Sequence, residues 1–203
     1  MKQLLNITRW EILRIRKKVN MKRETLIAGF GGQGVLSMGM TLAYAGMIEG
    51  KDVSWMPSYG PEMRGGTANC TIIISDDKIS SPIINSYDSI IILNQPSMDK
   101  FESAVKTNGQ ILYEANNIIN PPTRNDVGIV DIPANKEALN MGEKKVMNII
   151  VLGTFLGLNP VLKPESIMEG LKKVLPKRHH HLLPINEKAL EVGISFATKQ
   201  SPS

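Results

Sequence analysis

The sequence contains very few of the side chains that bind metals or carry redox chemistry. There is one cysteine, Cys70, among 203 residues, and the three histidines form a single run, His179–His181. One cysteine excludes an intramolecular disulfide and a four-cysteine zinc or iron–sulfur site. No apolar stretch approaches the ~20 residues that span a bilayer. We therefore expect a reduced, cytoplasmic protein with no membrane span and no metal site, in which Cys70 is a small buried residue.

The positive net charge belongs to the amino-terminal part of the chain. The formal charge is +5 overall, with eight basic and two acidic residues in positions 1–24, so that the remainder carries a charge of −1. A protein that tracks a nucleic-acid backbone needs a basic groove on its folded body. The near-neutral body argues against nucleic acid as a partner.

The first 20 residues have the pattern of a basic amphipathic helix, with apolar residues at roughly helical spacing. Three interpretations remain open: a helix that docks on a membrane surface or a partner, an organelle transit segment, or a non-native extension ahead of a start at Met21. The hypothesis for domain organisation is therefore a leader over residues 1–20 and a single α/β domain over residues 21–200.

The body alternates between short apolar runs and helical patterns. This order predicts a three-layer α/β/α sandwich with a mostly parallel or mixed, Rossmann-like sheet and a helical last third. Predicted strands cover Thr25–Gly29, Asp52–Met56, Ala68–Ser75, Asp88–Asn94, Gln110–Glu114 and Val127–Ile132. Predicted helices cover Val35–Gly50, Pro96–Lys106, Glu143–Leu158, Pro164–Leu175 and Pro184–Thr198, and the histidine run is a surface connection between the last two.

A glycine-rich loop lies between the first strand and the first helix. Glycines there permit a tight turn and close backbone approach to a phosphate, and the helix start offers free N–H groups. A nicotinamide site would also need an acid at the end of the second strand, but Asp52 stands at its beginning. The alternative is that the glycines only permit tight packing of strand against helix. The candidate binding residues of this loop are Gly29, Gly31, Gly32, Gln33 and Gly34.

A second loop, Pro57–Gly66, follows the second strand and contains glycine, proline and two opposite charges. Ligands of open α/β sheets bind at the carboxyl ends of strands, and a guanidinium is suited to recognising a carboxylate or phosphate. The alternative is a solvated loop whose charges pair with each other. The candidate binding residues of this loop are Tyr59, Glu62, Arg64 and Gly65.

Taken together, the two motifs Gly29–Val35 (GFGGQGV) and Tyr59–Gly66 (YGPEMRGG) resemble the gamma subunit of the 2-oxoacid:ferredoxin (acceptor) oxidoreductases. The resemblance extends over Lys22 to about Thr198. It also includes Ser81-Pro82, Asn148 and Asn186-x-x-Ala189.

This resemblance implies a subunit of a complex that oxidatively decarboxylates a 2-oxoacid to an acyl-CoA and reduces ferredoxin. Thiamine diphosphate, Mg²⁺ and iron–sulfur clusters would be bound by the alpha and beta subunits, and by a delta subunit where one exists. This chain would bind no cofactor stably by itself and would hold no catalytic residue. Its two loops would contact coenzyme A phosphates or the cofactor-bearing subunits. The form of the second loop favours the 2-oxoglutarate or 2-oxoisovalerate members.

Two other functions remain open at this stage. The chain could be a free-standing nucleotide-binding enzyme with a Rossmann-like fold, or a scaffold subunit that binds no ligand. Binding of NAD by the isolated chain would favour the first, and no response to coenzyme A within a complex would favour the second.

Overall fold

The structure of the protein is a computed structural model that describes residues 20–59 and 67–200. The leader predicted over residues 1–20 therefore lies, except for Asn20, outside the described residues, as do residues 60–66 of the second loop. In the described part, no helix is both long enough and apolar enough to cross a bilayer.

Six strands form one mixed sheet in the order β2-β3-β1-β4-β5-β6. Strand β1 pairs parallel with β4 on one side and antiparallel with β3 on the other, while β5 and β6 continue the parallel part. Among the strands that the structure describes, β2 pairs with β3 alone and is an edge of the sheet. The strands are β1 (Lys22–Phe30), β2 (Asp52–Tyr59), β3 (Thr67–Ser75), β4 (Tyr87–Ile92), β5 (Val105–Glu114) and β6 (Gly128–Ile132).

The described part of the chain contains six α-helices, which pack on the two faces of this sheet. They are α1 (Val35–Ile48), α2 (Gln95–Phe101), α3 (Ala134–Asn140), α4 (Met147–Leu158), α5 (Pro164–Val174) and α6 (Leu183–Gln200). The three-layer α/β architecture, the mixed sheet and the helical last third are confirmed.

The helices are distributed very unequally between the two faces. Successive strand residues point to opposite faces, so Ile27 and Leu26 belong to two different apolar cores. The core around Ile27 is shared by α1, α3, α4, α5 and α6, whereas the core around Leu26 receives Met98 from α2. The face that carries five helices therefore contains the deeper core.

Helix α4 lies at the centre of that deeper core. Residues 149–156 are all buried, and α4 packs most extensively against α6. Glycines bring the two helices together: a Cβ added at Gly193 would lie 2.7 Å from Thr154 N and 2.9 Å from Gly153 Cα. Backbone thus packs against backbone, which explains why a helix with no polar face can be stable here.

The structure corrects two predicted helix boundaries and adds one helix that was not predicted. The helix predicted over Pro96–Lys106 ends at Phe101, because Val105 pairs with Tyr87 of β4 and belongs to β5. Helix α3 was not predicted, and α4 begins at Met147 after a short 3₁₀ turn over Lys144–Val146.

The turn predicted at Asn108-Gly109 lies within β5. Asn108 has a positive φ of 61°, and the pairing between β4 and β5 shifts between Tyr87 and Ser89. These turn residues therefore form an irregularity in a long strand and do not separate two elements.

The predictions for the cysteine and the histidine run were right. Cys70 is fully buried, and its Sγ lies 3.6 Å from the Val35 carbonyl oxygen. Burial raises the pKa of the Cys70 thiol to about 12, so the thiol is protonated and unreactive at neutral pH. His179–His181 lie in a 3₁₀ helix, Lys177–Leu182, that connects α5 to α6.

The packing of α4 against α6 leads to a first prediction. Gly193→Ala should lower the free energy of unfolding by about 1–3 kcal/mol because the new methyl group meets backbone atoms of α4 that cannot move independently. Helix propensity alone would predict the opposite sign, since alanine is favoured over glycine by ~1 kcal/mol. Chemical denaturation of the variant and of the wild type measures the change in the free energy of unfolding.

The control for this prediction is Gly128→Ala. A Cβ at Gly128 would meet only the Gly109 carbonyl oxygen at 3.7 Å, an ordinary contact. Equal stability of the Gly193 variant and the wild type would contradict the packing argument.

Candidate functional site

The candidate site lies where β1 and β4 end side by side at the carboxyl edge of the sheet. Helix α1 follows β1 on one face, and α2 follows β4 on the other. This reversal opens a crevice between the two strand ends, which is where ligands bind in open α/β sheets. The glycine-rich loop between Phe30 and Val35 forms one wall of that crevice.

Two glycines of this loop adopt a conformation that other residues avoid. Gly32 and Gly34 have φ angles of 94° and 83°. Gly34 is also packed so closely that an added Cβ would lie 2.9 Å from Asn148 Cγ, while nothing lies within 4 Å of a Cβ at Gly32. Gly34 is therefore required by both conformation and packing, and Gly32 by conformation alone.

The start of α1 offers N–H groups to an anion. Gly34 is the N-cap and supplies no side-chain cap, and the first turn carries no acidic residue. The first N–H groups of a helix have no partner within the helix and lie at the positive end of its dipole. Gly31 and Gly32, just before this turn, are exposed. The geometry is that of an anion-binding loop.

Both polar groups of the Gln33 side-chain amide form hydrogen bonds within the protein. Phe30 N donates to Gln33 Oε1 at 2.6 Å, and Gln33 Nε2 donates to the Leu93 carbonyl oxygen at 3.1 Å. Gly29 leaves room for this arrangement, since a Cβ there would lie 2.7 Å from Gln33 Oε1. Among the candidate residues of this loop, Gly29 and Gln33 thus shape the loop, and Gly31, Gly32 and Gly34 present its backbone.

The second loop joins β2 to β3 at the same edge of the sheet. Tyr59 ends β2 opposite Ala68 of β3, and Thr67 of β3 lies opposite Phe30 at the end of β1. The loop is shorter than predicted because β2 continues through Pro57 to Tyr59. Glu62, Arg64 and Gly65 lie outside the described residues, while the strands on either side of them end beside the glycine-rich loop.

The position of Asp52 argues against a nicotinamide site. This residue begins β2, at the opposite edge of the sheet from the glycine-rich loop. Its Oδ2 accepts the N–H of Ile79 at 2.6 Å. It therefore does not lie where a carboxylate would bind the ribose of a dinucleotide.

A buried carboxyl group at the carboxyl edge was not predicted from the sequence. Glu114 ends β5 and is fully buried; its Oε1 accepts the N–H of Asn135 at 3.1 Å. Among the described residues, no donor reaches its Oε2. Burial raises the pKa of this carboxyl group, opposed by backbone N–H groups that include those of Asn116 and Asn117. The signal in the sequence was an acid that directly follows an apolar strand.

Two buried asparagines also belong to this region. Asn94 follows β4, is almost fully buried, and its Oδ1 accepts the N–H of Ser97 to cap α2 at 2.9 Å. Asn148 packs against Gly34, and its Oδ1 is buried with no hydrogen-bond partner among the described residues. Asn148 was noted in the sequence only as part of the family resemblance.

The comparisons with known proteins identify the family of this chain. The family model for pyruvate ferredoxin/flavodoxin oxidoreductase matches residues 24–196. The chain is 39% identical over 172 residues to the ketoisovalerate oxidoreductase subunit VorA of Methanothermobacter thermautotrophicus, covering 84% of this chain and 35% of that protein. It is 30% identical over 184 residues to the 2-oxoglutarate synthase subunit KorC of Archaeoglobus fulgidus, covering 90% of each.

Two solved structures have the same fold. The gamma subunit of a keto/oxoacid ferredoxin oxidoreductase from Geobacter sulfurreducens matches with a TM-score of 0.76 and 26% identity, covering 88% of this chain and 98% of that one. A 2-oxoglutarate:ferredoxin oxidoreductase from Magnetococcus marinus, described with 2-oxoglutarate, coenzyme A and succinyl-CoA bound, matches with a TM-score of 0.80 and 22% identity. That match covers 90% of this chain and 32% of that one.

Glu114 leads to a second prediction. A carboxyl group whose pKa is raised by folding stabilises the protein fully below its unfolded pKa, and this contribution is lost as pH rises through the folded pKa. The contribution of Glu114 to the free energy of unfolding should therefore fall as pH rises through its folded pKa, which lies above the usual carboxyl value. Glu114→Gln should remove that part of the decline and stabilise the protein at pH 8 by about 1 kcal/mol or more. Urea denaturation of the variant and of the wild type at several pH values measures the pH dependence of the free energy of unfolding.

The variant Glu137→Gln is the control, because this glutamate lies in the first turn of α3 and is not buried. An unchanged pH dependence in Glu114→Gln would contradict the assignment.

The chain spans about a third of the length of the ketoisovalerate relatives it matches, and nearly the whole of the Geobacter gamma subunit. The family match over residues 24–196 and the fold shared with the Geobacter gamma subunit agree on one assignment. The chain belongs to the pyruvate ferredoxin/flavodoxin oxidoreductase family and corresponds to its gamma-subunit domain.

Proposed function

We propose that this chain is the gamma subunit of a 2-oxoacid:ferredoxin oxidoreductase complex. The complex converts a 2-oxoacid and coenzyme A to an acyl-CoA and carbon dioxide and passes the electrons to ferredoxin. The observation that carries this proposal is the glycine-rich loop, whose free N–H groups lie at the switch point of the sheet beside the flanks of the second loop. Coenzyme A carries phosphates that such a loop binds.

The electron-transfer chemistry belongs to other subunits. A four-iron cluster needs four thiolates, and this chain has one cysteine, which is buried and protonated. Thiamine diphosphate with its Mg²⁺ and the iron–sulfur clusters are therefore proposed to lie in alpha, beta and, where present, delta subunits. The α/β domain of about residues 21–200 is a cytoplasmic module that orders and contacts the coenzyme A side of the active site.

The coenzyme A contact is proposed to involve both loops. Backbone N–H groups of Gly31, Gly32 and Gly34 would bind phosphate oxygens, and Arg64 would add a charged, bidentate donor. Tyr59, Glu62 and Gly65 belong to the same loop as Arg64, and Glu62 would orient the Arg64 guanidinium or bridge to a neighbouring subunit. Thr67, which follows this loop, pairs with Phe30 at the end of β1, and Tyr59, which precedes it, pairs with Ala68 of β3; this placement supports a shared site.

The substrate is proposed to be a branched-chain 2-oxoacid. The relative named as a ketoisovalerate oxidoreductase subunit is 39% identical, compared with 30% for the 2-oxoglutarate synthase subunit. Purification of a tagged chain from its native cells, followed by ferredoxin reduction with 2-oxoisovalerate, 2-oxoglutarate or pyruvate, tests both the assembly and the substrate. Isolation of the chain without thiamine-containing subunits, or NAD binding by the chain alone, would contradict the proposal.

Arg64 leads to a third prediction. In the assembled complex, Arg64→Ala should raise the KM for coenzyme A about ten-fold or more, because a charge-assisted hydrogen bond to phosphate contributes about 1.5–3 kcal/mol. The KM for the 2-oxoacid should change little. Arg64→Lys should restore part of the affinity, since lysine keeps the charge and loses the bidentate geometry.

Lys188→Ala is the matched control, because it removes one positive charge from an exposed position in α6. An Arg64→Ala complex that assembles normally and has an unchanged KM for coenzyme A would remove Arg64 from the site.

A further inference from the structure

An apolar groove of about 300 Å³ lies between α1 and the edge strand β2, on the face that carries five helices. Its α1 side is one stripe of the helix, with residues at positions i, i+3, i+4 and i+7, which share a helix face. Its β2 side consists of two alternate residues, which point to the same face of the strand. The lining residues are Met40, Ala43, Tyr44 and Met47 of α1 and Val53 and Trp55 of β2.

The exposure of this stripe does not fit the composition of α1. The helix contains no charged residue from Val35 to Ile48, and a helix that is apolar all round is normally buried on every side. Helix α4 is equally apolar and is buried over residues 149–156. In α1, however, Met47 is 63% exposed and Ile48 38%, and no other described element lines the groove. An open apolar groove of this kind is typical of an interaction surface.

The chain that precedes β1 enters the fold beside this groove. Met21 N donates to Asp76 Oδ2 at 2.9 Å, and the ammonium group of Lys51 pairs with the same carboxylate. Lys51 lies between the end of α1 and the start of β2, the two elements that form the groove. The starts of β1 and β2 both pair with the last residue of β3, which places them about 10 Å apart. The leader, residues 1–20, therefore joins β1 near one end of the groove.

The leader has an apolar stripe of its own and is long enough to reach along the groove. Apolar residues recur in it at intervals of seven, three and four residues, which places them on one side of a helix. A helix of 19 residues is about 28 Å long, whereas the stripe of α1 from Met40 to Met47 spans about 10 Å. The apolar residues of the leader are Leu5, Ile12, Ile15 and Val19.

The charges around the point of entry favour the same placement. Asn20 Nδ2 donates to Asp77 Oδ2 at 2.7 Å, so the last residue of the leader already lies against a carboxylate. Exposed acids at this edge of the sheet, offset in part by Lys51 and Lys78, are Asp52, Asp76 and Asp77. The basic residues at the end of the leader are Arg14, Arg16, Lys17 and Lys18. Opposite charges at short range favour a leader that folds back along this edge.

We propose that the leader of this chain docks in the groove between α1 and β2 as an amphipathic helix. Its apolar stripe would cover Met40, Tyr44 and Met47, and its basic side would face solvent and the aspartates at the point of entry. This is the binding mode in which an amphipathic helix lays its apolar face into an apolar groove. Helix α1 would then be covered on every side. Neither coenzyme A nor a partner subunit is needed for this contact, so it stands or falls independently of the proposed function.

Photo-crosslinking in the full-length chain tests the contact. Met47 is replaced by p-benzoylphenylalanine, and the control chain has the same probe at Leu139, which is 55% exposed on α3 after the opposite edge strand β6. Irradiation should join position 47 to residues 1–19 of the same chain, as mass spectrometry of the monomer band shows, and should give no such product from position 139. A dimer of this chain, a product with another protein, no product in residues 1–19, or equal products from both positions would overturn the proposal.

A pair of leader variants separates docking from mere proximity. Ile12 belongs to the apolar stripe, whereas Leu13 lies about 100° further round the helix. Ile12→Asp should lower the crosslink yield from position 47 about ten-fold or more, because a carboxylate would enter an apolar groove. Leu13→Asp should leave the yield unchanged. Equal yields in the two variants would contradict the docking.

Oxidation of Met47 by hydrogen peroxide gives a second measurement that needs no probe in the folded body. With the leader docked, Met47 should be oxidised more slowly in the wild type and in Leu13→Asp than in Ile12→Asp. Met56 is the internal control, because it is exposed on the opposite face of β2 and should react equally in all three chains. Equal oxidation rates of Met47 in the three chains would overturn the proposal and leave the proposed function standing.

Discussion

The close approach of Gly34 to Asn148 is the contact on which the rest of the site depends. Gly34 ends the glycine-rich loop and begins α1, while Asn148 stands in the first turn of α4. Any side chain at position 34 would collide with the Asn148 amide and would also have to adopt a left-handed backbone. The two helix starts can therefore approach this closely only because position 34 carries no side chain, and the conformation of the glycine-rich loop depends on that approach.

A second constraint ties the loop to the sheet. The amide of Gln33 bridges the end of β1 and the end of β4 through Phe30 and Leu93. Because both polar ends of the amide are used, the loop is anchored on one side by a hydrogen-bonded bridge and on the other by van der Waals contact with Asn148. A ligand would then meet backbone groups that are already fixed in position, which lowers the entropic cost of binding.

The sequence predicted the architecture because its signals are local. Apolar runs and glycine positions are enough to locate β1, α1, β4 and α6, and the missing ribose acid is visible from the position of Asp52 alone. The helix after β4 was extended too far because Val105 and Lys106 fit a helical pattern locally. Lys106 instead contacts Glu24 and Asp88, 2.8 Å from the Asp88 Oδ1, across a sheet that no local pattern reveals.

The buried polar groups were harder to predict for the same reason. Glu114, Asn94 and Asn148 look like ordinary polar residues at the ends of elements. What makes them unusual is the burial of single atoms by segments distant in sequence, such as the approach of Asn135 to Glu114. Burial of this kind depends on tertiary packing and can be recognised only when the helices have been placed on the sheet.

The edge of the sheet has a consequence for how the subunit associates. Within residues 20–59 and 67–200, strand β2 pairs only with β3, and Pro57 lies within it, close to its carboxyl end. Proline has no N–H to donate and is found in edge strands. Proline in an edge strand is one of the features that hinder pairing with a further strand. Pro57 therefore disfavours uncontrolled extension of the sheet along β2.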